Sequence, residues 1–295
     1  MTTIAMIGLG NMGSGMCANL VKAGFLVRAF DLNAAAVAQA VKDGAQAATG
    51  IAEAVSGAKA VVTMLPAGKH VHDVYLSEQG IADSAPPGAL FLDCSTIAVE
   101  DARSVAARLS ERGFEMVDAP VSGGVAAAAG GSLTFMVGGS KEAFERAGPI
   151  LEAMGKTIVH AGGSGNGQAA KIANNMLLGI SMIATCEAFC LAQKLGLDAQ
   201  TFFDISSKAS GQNWSMTSYC PAPGPVPTAP SNNDYQAGFA VDMMLKDLRL
   251  ARAAAESSSA ETQFGKQAAQ IYENLSAAGQ GHKDFSIVMR ELSSR

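Results

Sequence analysis

The chain has little of what several large function classes require. Only 16% of its 295 residues are charged, and 26 acids against 21 bases leave a net charge of -5. Neutralising nucleic-acid phosphates takes a clustered basic surplus, so this balance argues against nucleic acid as a partner. It does not exclude a small anionic substrate, whose binding depends on local charge. The five cysteines (Cys17, Cys94, Cys186, Cys190, Cys220) contain no Cys-x-x-Cys pair and are odd in number. They read as reduced, mostly buried thiols of a cytoplasmic protein. His70 and His72 could share one face of a strand, but no further ligand joins them at metal spacing, so no metal is expected. No Ser-His-Asp set is legible, and His160 reads as a surface or satisfied histidine. Met1-Thr2-Thr3 leads straight into an apolar strand, without the pattern of a signal or transit peptide. The most apolar stretch, Met176 to Ala192, contains Gly179 and Glu187; it falls short of a membrane span and reads as a buried helix.

Hydrophobic residues make up 48% of the chain, enough for a large core and for two domains. The first half alternates short apolar runs with helical segments. Strands are expected at Ile4–Ile7, Phe25–Phe30, Ala60–Leu65, Ala89–Asp93 and Phe114–Val117, with another after Ser132. Helices are expected at Met12–Ala23, Asn33–Asp43 and Val99–Arg112. Gly24 and Gly44 stand where a helix end favours a left-handed residue. This alternation predicts parallel βαβ units with helices on both faces of the sheet. Past Gly162-Gly163-Ser164-Gly165 the pattern becomes helical: Ala169–Leu195 reads as one long helix, the proline-rich stretch Pro221–Pro230 interrupts, and helix resumes over Gly238–Ser257. The expected class is α/β, with a Rossmann-type dinucleotide-binding domain over 1–163 and an all-helical substrate and dimerisation domain over 164–295.

Gly8-x-Gly10-x-x-Gly13 lies between the first strand and the first helix. Pyrophosphate binding needs glycine at each position: for the tight turn, for close backbone approach, and for helix–strand packing. The helix N-terminus adds N–H groups and the positive end of its dipole. Asp31 closes the second strand, where its carboxylate can accept the ribose hydroxyls and repel a 2′-phosphate. No arginine follows within Leu32–Ala40, so NAD is preferred over NADP. Arg28, inside the strand, is assigned no cofactor role.

Several blocks make the reading specific. Gly8-Leu9-Gly10-Asn11-Met12-Gly13 with Asn19-Leu20 resembles the opening of the 3-hydroxyisobutyrate dehydrogenase (β-hydroxyacid dehydrogenase) family. Asp118-Ala119-Pro120-Val121-Ser122-Gly123-Gly124, Gly130-Gly131-Ser132-Leu133-Thr134, Gly162 to Gly167, Lys171-x-x-Asn174-Asn175 and Lys246-Asp247-Leu248 follow in family order. One departure is Ala129-Gly130-Gly131-Ser132, where the family often has Ala-x-x-Gly-Thr-Leu. Ser218-Tyr219, Pro223-Gly224, Pro227, Pro230-Ser231, Tyr235 and Gly238-Phe239 look like the 3-hydroxyisobutyrate branch, which oxidises that acid to methylmalonate semialdehyde in valine breakdown.

Oxidising a primary alcohol sends a hydride to nicotinamide and a proton to a base whose pKa must lie near the working pH. Lysine titrates near 10.4, so a catalytic lysine must be desolvated or crowded by positive charge. Lys171 opens an apolar helix and matches the family's catalytic lysine. Asn175, one turn later, faces the same way and in the family reading orients substrate and lysine; Asn174 points about 100° away. Ser122-Gly123-Gly124 follows a strand end, offers a hydroxyl and close N–H groups, and by resemblance clamps the substrate carboxylate. The resemblance also implies that Lys246 reaches cofactor or substrate, that Asp247 holds Lys246 or a helix end, and that Leu65-Pro66 and Thr96, with Asn11 and Met12, line the cofactor. Trp214 and Tyr219 either close over the substrate or anchor the proline-rich loop. Phe239 reads as packing.

The rival readings are an L-serine or D-glycerate dehydrogenase of the same family, a non-catalytic NAD-binding relative, and an imine reductase; retention of Lys171 argues against the last two. A homodimer or homotetramer is expected, from the long apolar helix and from the family.

Overall fold

The structure, a computed structural model, describes residues 1–293. Strands β1 (Thr3–Ile7), β2 (Leu26–Phe30), β3 (Gln46–Ala47), β4 (Ala60–Thr63), β5 (Leu90–Asp93), β6 (Glu115–Asp118), β7 (Val121–Ser122), β8 (Leu133–Gly138) and β9 (Gly155–Gly162) form one sheet. Its order is β3-β2-β1-β4-β5-β6-β8-β7, with β9 also on β8. From β3 to β6 every pairing is parallel, as the alternation predicted. Successive side chains on one strand enter different cores. Ile4 and Met6 join one cluster with Leu90 and Leu92. Ala5 and Ile7 join the other, with Val61 and Phe91. A strand buried on both faces must be apolar at every position, which is why these runs do not alternate.

Beyond β6 the parallel rule fails, because β8 pairs antiparallel with both β6 and β7. A parallel return needs a crossover of a dozen or more residues. Between β7 and β8, residues 123–132 offer fewer, holding one six-residue helix, Gly124–Ala129. β9 then returns parallel to β8 after the Lys141–Met154 helix. It was not foreseen, and its mixed burial as an outer strand explains the weak signal. His70 and His72 are also corrected: they lie in the Gly68–Leu76 helix, where His72 Nε2 meets Asp101 at 3.3 Å. Arg28 is occupied by the carbonyls of Glu53 and Ser56.

The chain divides into two compact units, Met1–Lys171 and the remainder from Ile172. The helix Asn166–Lys194 runs through that division. By length and composition alone it could cross a membrane, contrary to expectation: its most apolar 18 residues have a mean hydropathy of 1.6. One glutamate and one glycine are too few to lower a window rich in Met, Ile, Leu and Ala. The helix is not wholly buried either. Met182, Cys186 and Phe189 enter the second unit's core, whereas Leu177 and Leu191 are more than 60% exposed. Gly179 lets Val241–Ser258 approach closely, since a Cβ there would meet Leu248 and Met244 at 3.2 Å. The remaining core comes from that helix, Gln263–Leu275 and Phe285–Met289, with Met216, Cys220, Ala222 and Tyr235 between the long helices. Among the described residues, only isolated bridges, Gln236 with Lys283 and Ala240 with Asp284, stand in for strands there.

Candidate active site

In the first unit the candidate cofactor residues gather at the carboxyl edge of β1, β4 and β5, where an open α/β sheet takes its ligand. The three motif glycines answer three different needs. Gly8 has φ of +93°, and a Cβ would lie 2.2 Å from the Met64 carbonyl oxygen. A Cβ on Gly13 would lie 2.0 Å from the Gly8 oxygen, so the Gly13–Lys22 helix packs on the turn only without a side chain. Gly10 meets nothing within 4 Å among the described residues, so the fold itself does not demand glycine there. An open glycine at the mouth of a helix fits a pyrophosphate approached by backbone. Asp31 Oδ2 accepts from Leu9 N at 2.6 Å and Oδ1 from Asn33 N at 2.7 Å, which ties the carboxylate to the glycine loop.

Leu65-Pro66 follows β4 and Thr96 follows β5, and Ser95 joins the two turns. Its hydroxyl accepts from Leu65 N at 2.8 Å and donates to Asp93 Oδ1 at 2.6 Å. Thr63 Oγ1 donates to the same oxygen at 2.8 Å, so the Tyr75 hydroxyl, 2.9 Å away, donates to Thr63. Asp93 is fully buried, and desolvation pushes its carboxyl up to about 6.

Ser122 ends β7, and the Ser122-Gly123-Gly124 turn passes through φ of +133° and +70° at its glycines. A Cβ on Gly123 would lie 2.5 Å from Ala127, whereas Gly124 is open among the described residues, so the turn leaves backbone accessible beside a hydroxyl. Lys171 is only 8% exposed, in the second turn of Asn166–Lys194. Asp118 holds the start of that helix: Oδ1 accepts from Gly165 N at 2.7 Å and Oδ2 from Gln168 N at 2.9 Å. Burial raises the Asp118 carboxyl, against the lowering effect of those N–H groups.

In the second unit Asn175, 2% exposed, donates its amide to Asp247 Oδ2 at 2.5 Å and accepts from Asn174 Nδ2 at 3.0 Å. This fixes which end of the Asn175 amide is its oxygen. Asp247 thus holds Asn175, a role beyond the one expected for it; Lys246 Nζ is 3.8 Å from the other carboxylate oxygen. Lys246 also borders an open groove of about 480 Å³ with Asp242, Leu245, Arg249, Leu250 and Ser276. The Trp214 ring stacks on Tyr219 at 5.0 Å, and the Tyr219 hydroxyl donates to Asp284 Oδ2 at 2.8 Å. Trp214 is half exposed. Phe239 packs edge-on against Phe285, and His160 is satisfied by the Gly139 carbonyl and stacked on Phe144. Asp118, Gln168, Asp93 and Asp284 were not singled out from sequence. The available signal was a polar residue amid apolar ones, as at Gln168 three places before Lys171.

Comparison with known proteins identifies the family. Residues 3–163 match the NAD binding domain of 6-phosphogluconate dehydrogenase, and residues 165–292 match the NAD-binding domain described for NADP-dependent 3-hydroxyisobutyrate dehydrogenase. An NAD-dependent L-serine dehydrogenase of Pseudomonas aeruginosa is 48% identical, over 98% of this chain and 97% of its own. A 3-hydroxyisobutyrate dehydrogenase of the same organism is 47% identical over 98% of both chains. The solved structure of Mycobacterium tuberculosis 3-hydroxyisobutyrate dehydrogenase with L-serine has a TM-score of 0.94 at 48% identity, over 99% of both chains. Full-length agreement at this identity makes the chain a member of the 3-hydroxyisobutyrate dehydrogenase family, NAD-dependent oxidoreductases of β-hydroxy acids.

Proposed function

We propose that this enzyme oxidises the primary alcohol of 3-hydroxyisobutyrate to methylmalonate semialdehyde, with Lys171 as general acid/base. The observation that carries the reading is the burial of Lys171, one helical turn before the buried Asn175. Desolvation disfavours the ammonium form and so moves a lysine toward the pKa a base requires. Bound NAD supplies the hydride acceptor. Lys171 takes the hydroxyl proton as the C–H bond breaks, and returns a proton in the reverse direction. The Asn175 amide oxygen orients the hydroxyl and the lysine, held by Asp247 in the correct flip. Ser122, with the Gly123 and Gly124 N–H groups, binds the carboxylate, and Lys246 supplies positive charge to cofactor or substrate. Gly8, Gly10, Asn11, Met12, Gly13, Leu65, Pro66 and Thr96 seat the cofactor. Asp31 accepts the ribose hydroxyls and disfavours a 2′-phosphate, which supports NAD over NADP.

A second reading, oxidation of L-serine, is favoured by the L-serine dehydrogenase at 48% identity. Serine carries an ammonium where 3-hydroxyisobutyrate carries a methyl. Initial rates of NADH formation with 3-hydroxyisobutyrate, L-serine and D-glycerate, repeated with NADP, separate these readings. Dominance of kcat/KM by 3-hydroxyisobutyrate is expected; dominance by serine would transfer the assignment and leave the Lys171 chemistry standing. Lys171→Ala should lose about 10²–10⁴-fold in kcat while still binding NADH. Near-normal turnover would remove Lys171 from the mechanism.

The domain roles belong to the same proposal: residues 1–163 bind NAD, and 164–295 bind substrate and dimerise. Exposed Leu177, Leu191 and Leu195, on or just after one long helix, support a homodimer or homotetramer. Five free cysteines support a cytoplasmic location.

A further inference from the structure

Gln168 is fully buried, and its side chain bonds only to backbone. Its Oε1 accepts from Ile97 N at 3.1 Å and its Nε2 donates to Ser95 O at 2.8 Å. Those two backbone groups flank Thr96, so the side-chain amide pairs with the turn as a neighbouring strand would. The backbone N–H of Gln168 is itself held by Asp118 Oδ2. Three residues further along the same helix lies Lys171. Ser95, in turn, carries the Leu65 N–H through its hydroxyl.

One side chain therefore ties the two turns assigned to the cofactor to the first turns of the helix that carries the base. We propose that Gln168 is a positioning residue, fixing Lys171 in register with the Thr96 turn so that base and hydride acceptor address one substrate carbon. This rests on the Lys171 reading above. A primary amide is needed because it both donates and accepts along one edge. A glutamate has the same length but, when ionised, only accepts, and its oxygen would face the Ser95 carbonyl. Protonation restores one donor and one acceptor, and with them the amide's pattern. The buried site should raise that glutamate's pKa into the accessible range.

The test is kcat of Gln168→Glu relative to wild type from pH 6 to pH 9, per active site titrated with NADH. The variant should be at least tenfold slower at pH 9, with the deficit narrowing to less than threefold at pH 6. A merely structural glutamine would lower stability without this recovery. A kcat within twofold of wild type at pH 9, or a deficit independent of pH, overturns the proposal. Should Gln168→Glu not fold at pH 9, Gln168→Met decides. It keeps the stem without the hydrogen bonds, so a tenfold loss at every pH supports the assignment and a kcat within twofold refutes it. Lys171→Ala run alongside keeps the two ideas apart: full activity there sinks the lysine, whereas a dead Lys171→Ala beside a normal Gln168 variant sinks only the glutamine.

Discussion

Asp93 in the α/β unit and Asp284 in the helical unit are both fully buried, yet they are treated in opposite ways. Asp284 accepts five hydrogen bonds: from Tyr219, Gly238 and Phe239 on one oxygen, and two from Ser286 on the other. Asp93 gathers its donors on Oδ1, while Oδ2 has no hydrogen-bond partner among the described residues. The difference follows from what surrounds each. A sheet satisfies its own backbone, so an acid at a strand end finds free N–H groups only where a loop or helix start comes to it, as at Asp118 but not at Asp93 Oδ2. The Gly238–Phe239 segment just before the Val241–Ser258 helix lies outside any strand, and its N–H groups need an acceptor. Asp284 supplies it, fastening the Tyr219 and Gly238–Phe239 segments to residues 284–286.

The largest effect is expected at Asp284. In Asp284→Asn an amide N–H₂ must face donors that the carboxylate accepted. Burying groups so opposed should cost about 3–5 kcal/mol of stability. Urea unfolding followed by helix content should show this as a lower midpoint. A loss below about 1 kcal/mol would mean that the segment is held by its packing alone.

These acids also mark where sequence reading stops. The β1, β4 and β5 strands were legible because burial on both faces forces apolar runs. By contrast β2, which alternates buried and half-buried positions around Arg28, and β6 were legible from their place in the strand-helix alternation. The glycine cradle was legible because backbone approach admits only one residue type. β9 was not, since its mixed burial leaves no apolar run. Asp31 could be placed by its spacing from the glycine motif, and Lys171 and Asn175 by the resemblance of their block to the family. Asp118, Gln168 and Asp284 find partners 47 to 73 residues away, and no local pattern announces a partner so distant. Gln168 shows the cost: the motif block around it was noticed, but its amide's bond to the Thr96 turn depends on how the sheet brings residues 95 and 168 together.

Asp93 sharpens the contrast through pH. Its carboxyl is raised from 3.8 to about 6, first by desolvation, so the folded state holds the proton more tightly than the unfolded chain. Stability from this group is therefore greatest below about pH 4, falls as pH rises toward 6, and is flat above that. Asp93→Asn keeps an oxygen for Thr63 and Ser95 and cannot ionise. The stability of Asp93→Asn minus that of wild type should rise by roughly 2–3 kcal/mol between pH 4 and pH 7, because subtraction cancels the other titrations. A difference that does not change with pH would show that Asp93 stays ionised, with its second oxygen reached by a water.

The smallest effect expected is at Tyr219, and it separates anchor from substrate contact. Burial, and then the Asp284 charge, push the Tyr219 hydroxyl well above its ordinary value, so it stays protonated and is a committed donor to Asp284. Tyr219→Phe keeps the ring against Trp214 and Phe285 and removes one of three donors to Asp284 Oδ2. The cost should be about 1 kcal/mol, that of one hydrogen bond whose acceptor remains solvated by its other partners. As an anchor, Tyr219 can lose its hydroxyl with kcat/KM unchanged within twofold. A tenfold fall in kcat/KM at unchanged stability would instead place that hydroxyl on the substrate, and the Asp284 clamp would then be part of the specificity pocket rather than of the scaffold beneath it.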